Sequence, residues 1–269
     1  MENRDKIDDV YGEIFLALEG KADTLVHFIT SFQDNDYILG FIPIKFSKFY
    51  NLKTLIINDS YVEYERQLKH LSYQNLEVFQ IDFIKTSTLI YIINNSGGNL
   101  SKIIVGGCSY NGDEDLIIIR TIHEKCPLIE YLTLTFSSSD ENFMEFEKLL
   151  NTCQKLKTLI LNIDAFLSEG HSIAEKRLLS GEKLSKALIR SAPFNLRRLV
   201  FNGINHDYGP RFSFKTLKDF FENWKGRTSL SIFTPDRHYK AKEYDEMISG
   251  YLNDGVIKDF SYNLINYFM

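Results

Sequence analysis

The residues able to do chemistry are few and scattered. The stretch Gly106-Gly107-Cys108-Ser109-Tyr110-Asn111-Gly112 sets a thiol and a hydroxyl among glycines, as a nucleophile turn or a phosphate cradle would. A nucleophile elbow needs Gly-x-Ser-x-Gly, and Asn111 stands where its second glycine belongs. A phosphate loop needs Gly-Lys-Ser/Thr after its glycines, and none follows. The stretch therefore reads as a glycine-rich turn. His123-Glu124 offers acid–base chemistry only if a cleft surrounds it; at the end of a helix-like segment it reads as a solvated cap. The six histidines are dispersed and neither CxxC nor HExxH occurs, so no metal site is expected. No catalytic constellation emerges, and the expectation is a non-enzymatic chain without a cofactor.

The three cysteines point to packing instead. Cys126 and Cys153 each lie three residues before an apolar residue, Ile129 and Leu156, that opens the same short pattern. Cys108 lies three residues after Val105, which closes another copy of it. An odd count without close pairs is not a disulfide framework, and a free cysteine is a small, readily buried hydrophobe.

That pattern organises the chain: apolar, two variable residues, apolar, one variable residue, apolar. It recurs at Leu52-Lys-Thr-Leu55-Ile-Ile57, Leu76-Glu-Val-Phe79-Gln-Ile81 and Leu100-Ser-Lys-Ile103-Ile-Val105. It continues at Ile129-Glu-Tyr-Leu132-Thr-Leu134, Leu156-Lys-Thr-Leu159-Ile-Leu161 and Leu196-Arg-Arg-Leu199-Val-Phe201, with a weaker copy at Ser229–Phe233. Successive starts are 24, 24, 29, 27 and 40 residues apart. The first four steps fit or closely approach leucine-rich-repeat spacing, and the last carries an insertion. Asparagine precedes four copies, at positions 51, 75, 99 and 195.

The stretches between the copies read as helices: Asp113–Lys125, Asp140–Leu150, Ser87–Asn95, Tyr61–Leu71, Phe214–Trp224 and Lys240–Leu252. Ile173–Ser191 fits one long helix or two short ones around Gly181. The fold expected is an α/β leucine-rich-repeat solenoid of the ribonuclease-inhibitor type, with short parallel strands on the inner curve and helices on the outer. Residues 1–50 form a helical or irregular N-terminal cap in this reading, including Thr24–Phe32 and Phe41–Tyr50. Residues 51–235 are the repeats and 236–269 a C-terminal cap.

In a strand, alternate side chains face opposite ways. If the apolar pair of each copy points into the core, its neighbours point to the inner face. The candidate partner-binding residues are therefore Ile56, Gln80, Lys102, Ile104, Tyr131, Thr133, Ile160, Arg198 and Val200. Their middle column is apolar enough to suggest a contact surface, although β-branched residues also suit strands for their own sake. Tyr131 and Arg198 are of the types richest in binding energy.

The chain has 269 residues, 44% hydrophobic and 25% charged, with a net charge of -5. A broad nucleic-acid footprint needs a basic face, so no nucleic-acid partner is expected. No run of about 20 apolar residues exists for a membrane span, and the first residues do not form a signal peptide. The expected setting is cytoplasmic or nuclear.

Several segments resemble the leucine-rich portion of F-box proteins, in the form found in large fungal sets. They are Lys125-Cys126-Pro127-Leu128-Ile129-Glu130-Tyr131-Leu132-Thr133-Leu134, Asn51-Leu52-Lys53-Thr54-Leu55, Gln154–Leu159 and Leu217–Arg227. The resemblance covers roughly residues 50–235. It implies a substrate receptor: an F-box binds the Skp adaptor of a cullin ubiquitin ligase, and the repeats hold a protein substrate. The sequence departs from that family where the F-box should stand. No Leu-Pro start is present, and the apolar stretch Ile7–Leu18 is too short to replace the module. The adaptor is expected as a partner only if an F-box lies upstream. The alternatives are a fragment and a free-standing scaffold or regulator. The turn position held by Cys108 is also irregular, with Ser60, Ile84, Ser137, Asp164 and Ile204 in the other copies.

Overall fold

Each copy of the pattern becomes a strand because its second and third apolar positions, two residues apart, bury on one face. In the computed structural model, which describes residues 17–18, 20–31, 49–58, 68–69, 71–109, 114–164, 172–202 and 209–262, the strands are parallel and alternate with helices. The side chains of 107–109 and of 164 are not among those described. The chain divides into two compact units, Met1–Glu114 and Asp115–Met269.

In the first unit β1 (His27–Ser31), β2 (Thr54–Asn58), β3 (Val78–Lys85) and β4 (Lys102–Ser109) lie side by side in chain order, with helix α1 (Thr86–Asn94) after β3. Equivalent repeat positions pair: Phe28 with Leu55, Leu55 with Phe79, and Phe79 with Ile103. The opening leucines Leu52, Leu76 and Leu100 are all buried.

The second unit opens with helix α2 (Glu114–Lys125), whose first residue ends the first unit. It continues with β5 (Tyr131–Ser137), α3 (Asp140–Thr152), β6 (Thr158–Asp164), α4 (Ile173–Ser191) and β7 (Arg198–Asn202). Helix α5 (Phe214–Trp224), β8 (Leu230–Phe233), a 3-10 turn (Arg237–Lys240), α6 (Lys242–Asn253) and β9 (Ile257–Ser261) complete it. Its five strands again follow chain order, pairing Leu132 with Leu159, Leu159 with Leu199, and Leu199 with Ile232. Phe136 of β5 packs on Phe143 and Phe146 of α3, at ring distances of 5.5 and 5.4 Å, so the apolar column faces the helices. Serines cap three of the helices: Ser139 accepts from the Asn142 amide, Ser213 from Thr216, and Ser172 forms a reciprocal capping box with Glu175.

The asparagines ahead of the copies have a mechanical role. Asn51 donates to the Asp23 carbonyl, Asn75 to Tyr50, Asn99 to Gln74 and Asn195 to Gln154, at 2.7 to 3.1 Å. Each side chain reaches back one repeat to a carbonyl that no helix or strand satisfies. Further along, Thr228 Oγ1 does the same to the Phe194 carbonyl.

Several expectations change. His27–Ser31 is a strand paired with β2, not helical or irregular capping structure. The segment Leu25-Val-His-Phe28-Ile-Thr30 carries the first two apolar positions but threonine at the third, which hides the copy. Ser229–Phe233 is a true strand, and β9 adds another after it across a register shift at Leu230/Ser231. Ile173–Ser191 is one helix. Gly181 does not break it; a β-carbon there would meet the Arg211 carbonyl oxygen at 2.0 Å, so the glycine lets the chain at 211–212 cross the helix closely. Gly106 and Gly107 belong to β4 rather than to a turn, and a β-carbon on Gly106 would lie 2.7 Å from the Asp82 carbonyl oxygen of β3. The proposed helices at Ile7–Leu18 and Tyr61–Leu71, and the cap at Phe41–Tyr50, fall almost wholly outside the described residues.

The insertion before β7 is held by a buried ionic knot. Arg177 of α4 donates to Asp236 Oδ2 at 2.5 Å and to the Gly209 carbonyl at 2.7 Å. Arg211 reaches both oxygens of the same carboxylate, at 2.7 and 3.2 Å. The Phe212 amide donates to the buried Tyr239 hydroxyl.

Candidate binding face

The sheet face opposite the apolar column carries the predicted site residues, and alternation places them as expected. Two columns matter within each unit. The first column holds Thr54, Val78 and Lys102 in the first unit and Tyr131, Thr158 and Arg198 in the second. The next, two residues on, holds Ile56, Gln80 and Ile104, then Thr133, Ile160 and Val200.

Exposure separates the columns. Tyr131 is 37% exposed and Arg198 is exposed, while Lys102 is half-buried. In the second column only Ile56 keeps partial access among the predicted residues; Gln80, Ile104, Thr133, Ile160 and Val200 are withdrawn from solvent. Ile160, Val200 and Phe233 form one apolar cluster across β6, β7 and β8. Solvent thus reaches the second unit's face at Tyr131 and Arg198, not along the apolar middle. Phe233 is the member that the sequence pattern signalled least, because its copy lacks the opening leucine.

Polar groups line the far side of the same face. Asn162 donates to Thr135 Oγ1 at 3.1 Å, and Gln80 to Asn58 Oδ1 at 3.3 Å. Among the described residues, Thr133 Oγ1 and Asn202 Oδ1 are buried without a hydrogen-bond partner. Such atoms are uncommon in folded proteins.

The residues considered for chemistry take structural places. His123 does not act as a solvated cap: its Nε2 lies 3.2 Å from Glu145 Oε2, joining α2 to α3. Arg120 and Lys148 bind the same carboxylate. Burial alone would raise the Glu145 pKa, but the hydrogen bonds from Lys148, Arg120 and His123 outweigh it and hold the group below 4.5. Cys126 and Cys153 are fully buried at equivalent helix ends, with Cys153 Sγ 3.7 Å from the Cys126 carbonyl. Burial pushes both thiols up to about 12, aided at Cys126 by the nearness of Cys153. Neither forms a thiolate near neutrality. The Cys108 side chain lies outside the described residues. Among those residues no three His, Cys, Asp or Glu side chains converge as a metal set, and no helix is long and apolar enough to cross a membrane. An interior pocket of the second unit, between Phe201, Phe212, Phe220 and Tyr239, presents apolar walls rather than converging polar groups.

Compared with known proteins, the chain matches no protein-family model and no curated protein sequence.

Proposed function

We propose that the chain is a non-enzymatic protein-interaction scaffold of the leucine-rich-repeat class. Its partner is a protein that engages the sheet face of the second unit, with Tyr131 and Arg198 as the contacts open to it. The observation carrying this reading is the placing of Tyr131 and Arg198: both are exposed, in one column on either side of buried Thr158, next to a middle column withdrawn from solvent. Aromatic and arginine side chains on a rigid sheet are what interface hot spots are made of. The parallel register of equivalent repeat positions supports the repeat class.

The resemblance to F-box proteins suggests which kind of scaffold: the substrate-recognition part of a ubiquitin-ligase receptor, in the cytoplasm or nucleus. A free-standing scaffold without a ubiquitin role is the second reading. Two measurements test these. Purified chain, carrying any in-frame upstream coding sequence, is mixed with a purified Skp adaptor; failure to bind removes the receptor reading. The double variant Tyr131→Ala/Arg198→Ala should lose capture of the partner identified with the natural chain, by about tenfold or more. Its melting temperature should not change. Equal capture by the variant removes the face.

A further inference from the structure

Parallel strands force every helix-to-strand connection of the second unit onto one edge, and that edge is strongly basic. The connections are 126–130, 153–157, 192–197, 225–229 and 254–256. Hydrogen bonds lock neighbouring connections side by side: the Lys157 amide donates to the Glu130 carbonyl, Asn195 to Gln154, Thr228 to Phe194 and the Ser231 amide to Arg197. Adjacent strands are about 4.8 Å apart, so these loops form a continuous rim.

Five lysines and arginines lie in these connections against two acids, Glu130 and Asp254; Lys125, Arg198 and Lys258 flank them at the element ends, as do the acids Glu124 and Asp259, in a chain whose net charge is -5. Glu130 is already paired with Lys157 at 2.5 Å. Lys225 pairs with Glu222, and Arg227 lies over the Trp224 ring while donating to the Ala192 carbonyl. The other five cations, Lys125, Lys155, Arg197, Arg198 and Lys258, are exposed. Their side chains make no ion pair or hydrogen bond among the described residues. Lys125 complements the end of α2, as a last-turn cation does. The others lie beyond the helix ends, where that account does not apply. Two large apolar side chains stand on the same rim, Phe194 at 63% and Leu128 at 37% exposure.

We propose that this rim docks an acidic, partly apolar peptide segment of a protein partner. Lys155, Arg197 and Arg198 meet its carboxylates, and Phe194 and Leu128 take an apolar side chain. Charge complementarity selects the occupant: unpaired cations steer and hold an acidic segment, and exposed apolar side chains between them distinguish a peptide from a bare polyanion.

The test uses the full chain and fluorescence anisotropy. The probe is a short fluorescein-labelled peptide of glutamates spaced by leucine and phenylalanine. Controls are the same peptide with glutamine for glutamate and a labelled DNA duplex. Saturable binding of the glutamate peptide is expected, weaker by about tenfold for the glutamine peptide, in high salt, and in Lys155→Glu/Arg197→Glu. Phe194→Ser should weaken it as well, with the charges intact. Arg198 is left unchanged in these variants, so the result stands apart from the sheet-face reading above. If the charge reversal disturbs folding by circular dichroism, Phe194→Ser and the salt titration carry the decision. No saturable binding, binding indifferent to Lys155, Arg197 and Phe194, or duplex DNA binding as tightly as the peptide overturns the proposal.

Discussion

Asp236 joins two arginines inside the second unit. It accepts from Arg177, Arg211 and the His238 amide while only 4% of its side chain is exposed. Burial alone would raise its pKa; the Arg211 and His238 hydrogen bonds and the two guanidinium charges outweigh that and hold it below 3.8. A folded value below the unfolded one means that this stabilisation is complete above the ordinary aspartate range. It is lost as pH falls below 3.8 toward the folded value. The Asp236→Asn variant leaves the Arg177 charge buried without its counter-ion. Urea unfolding at neutral pH should show a loss of about 3–5 kcal/mol. The gap between natural chain and variant should narrow below pH 3.8; a constant gap would mean the carboxylate charge is not what stabilises the knot. None of this was legible in the sequence. Arg177 and Asp236 are 59 residues apart, and only the path of the insertion brings them together. Cys126 and Cys153 were legible, because their place in the repeat fixed both their burial and their equivalence.

Helices and strands of the repeats were readable wherever the apolar spacing was complete. The copies from Leu52 to Phe201 all became strands, since two apolar residues on one face suffice to bury each against its neighbours. What failed was detection of copies with a polar substitution, such as Thr30 in β1, or with a bulge, as at β9. Gly106 was misread as a turn residue, and Gly181 left one helix or two open, for a physical reason too. Local preference treats it as a breaker, yet Gly106 and Gly181 sit inside regular elements because backbone passes too close for a β-carbon. This gives a prediction whose sign separates the two views. Helix propensity makes Gly181→Ala stabilising by about 1 kcal/mol. The 2.0 Å approach to the Arg211 carbonyl makes it destabilising, by about 1–3 kcal/mol. Thermal unfolding should show a lower midpoint for the variant; a raised midpoint would remove the close crossing.

For the whole molecule, stability is a sum over neighbouring repeats, so it should vary along the chain. Strand β1 has an outer edge and no fully buried residue, whereas every described side chain of β6 is buried. Amide hydrogens of β1 should therefore exchange faster than those of β6, by on the order of a hundredfold. Equal protection measured by mass spectrometry would show that the chain opens as one cooperative body instead. The sequence disclosed the parallel strands alternating with helices, but not how the candidate face meets solvent. Alternation located the columns; it could not foretell that the middle one would be shut off from water while Tyr131 and Arg198 remained open. The asparagines at 51, 75 and 99 add a last point. Each carries its own donor backward, and Tyr50 and Gln74, just ahead of Asn51 and Asn75, supply the carbonyl that the next asparagine uses. A duplicated 24-residue segment arrives with both ends of that linkage already matched. A partial duplication strands one of them. Between Asn51 and Asn99, therefore, adding or removing one whole module keeps this linkage intact.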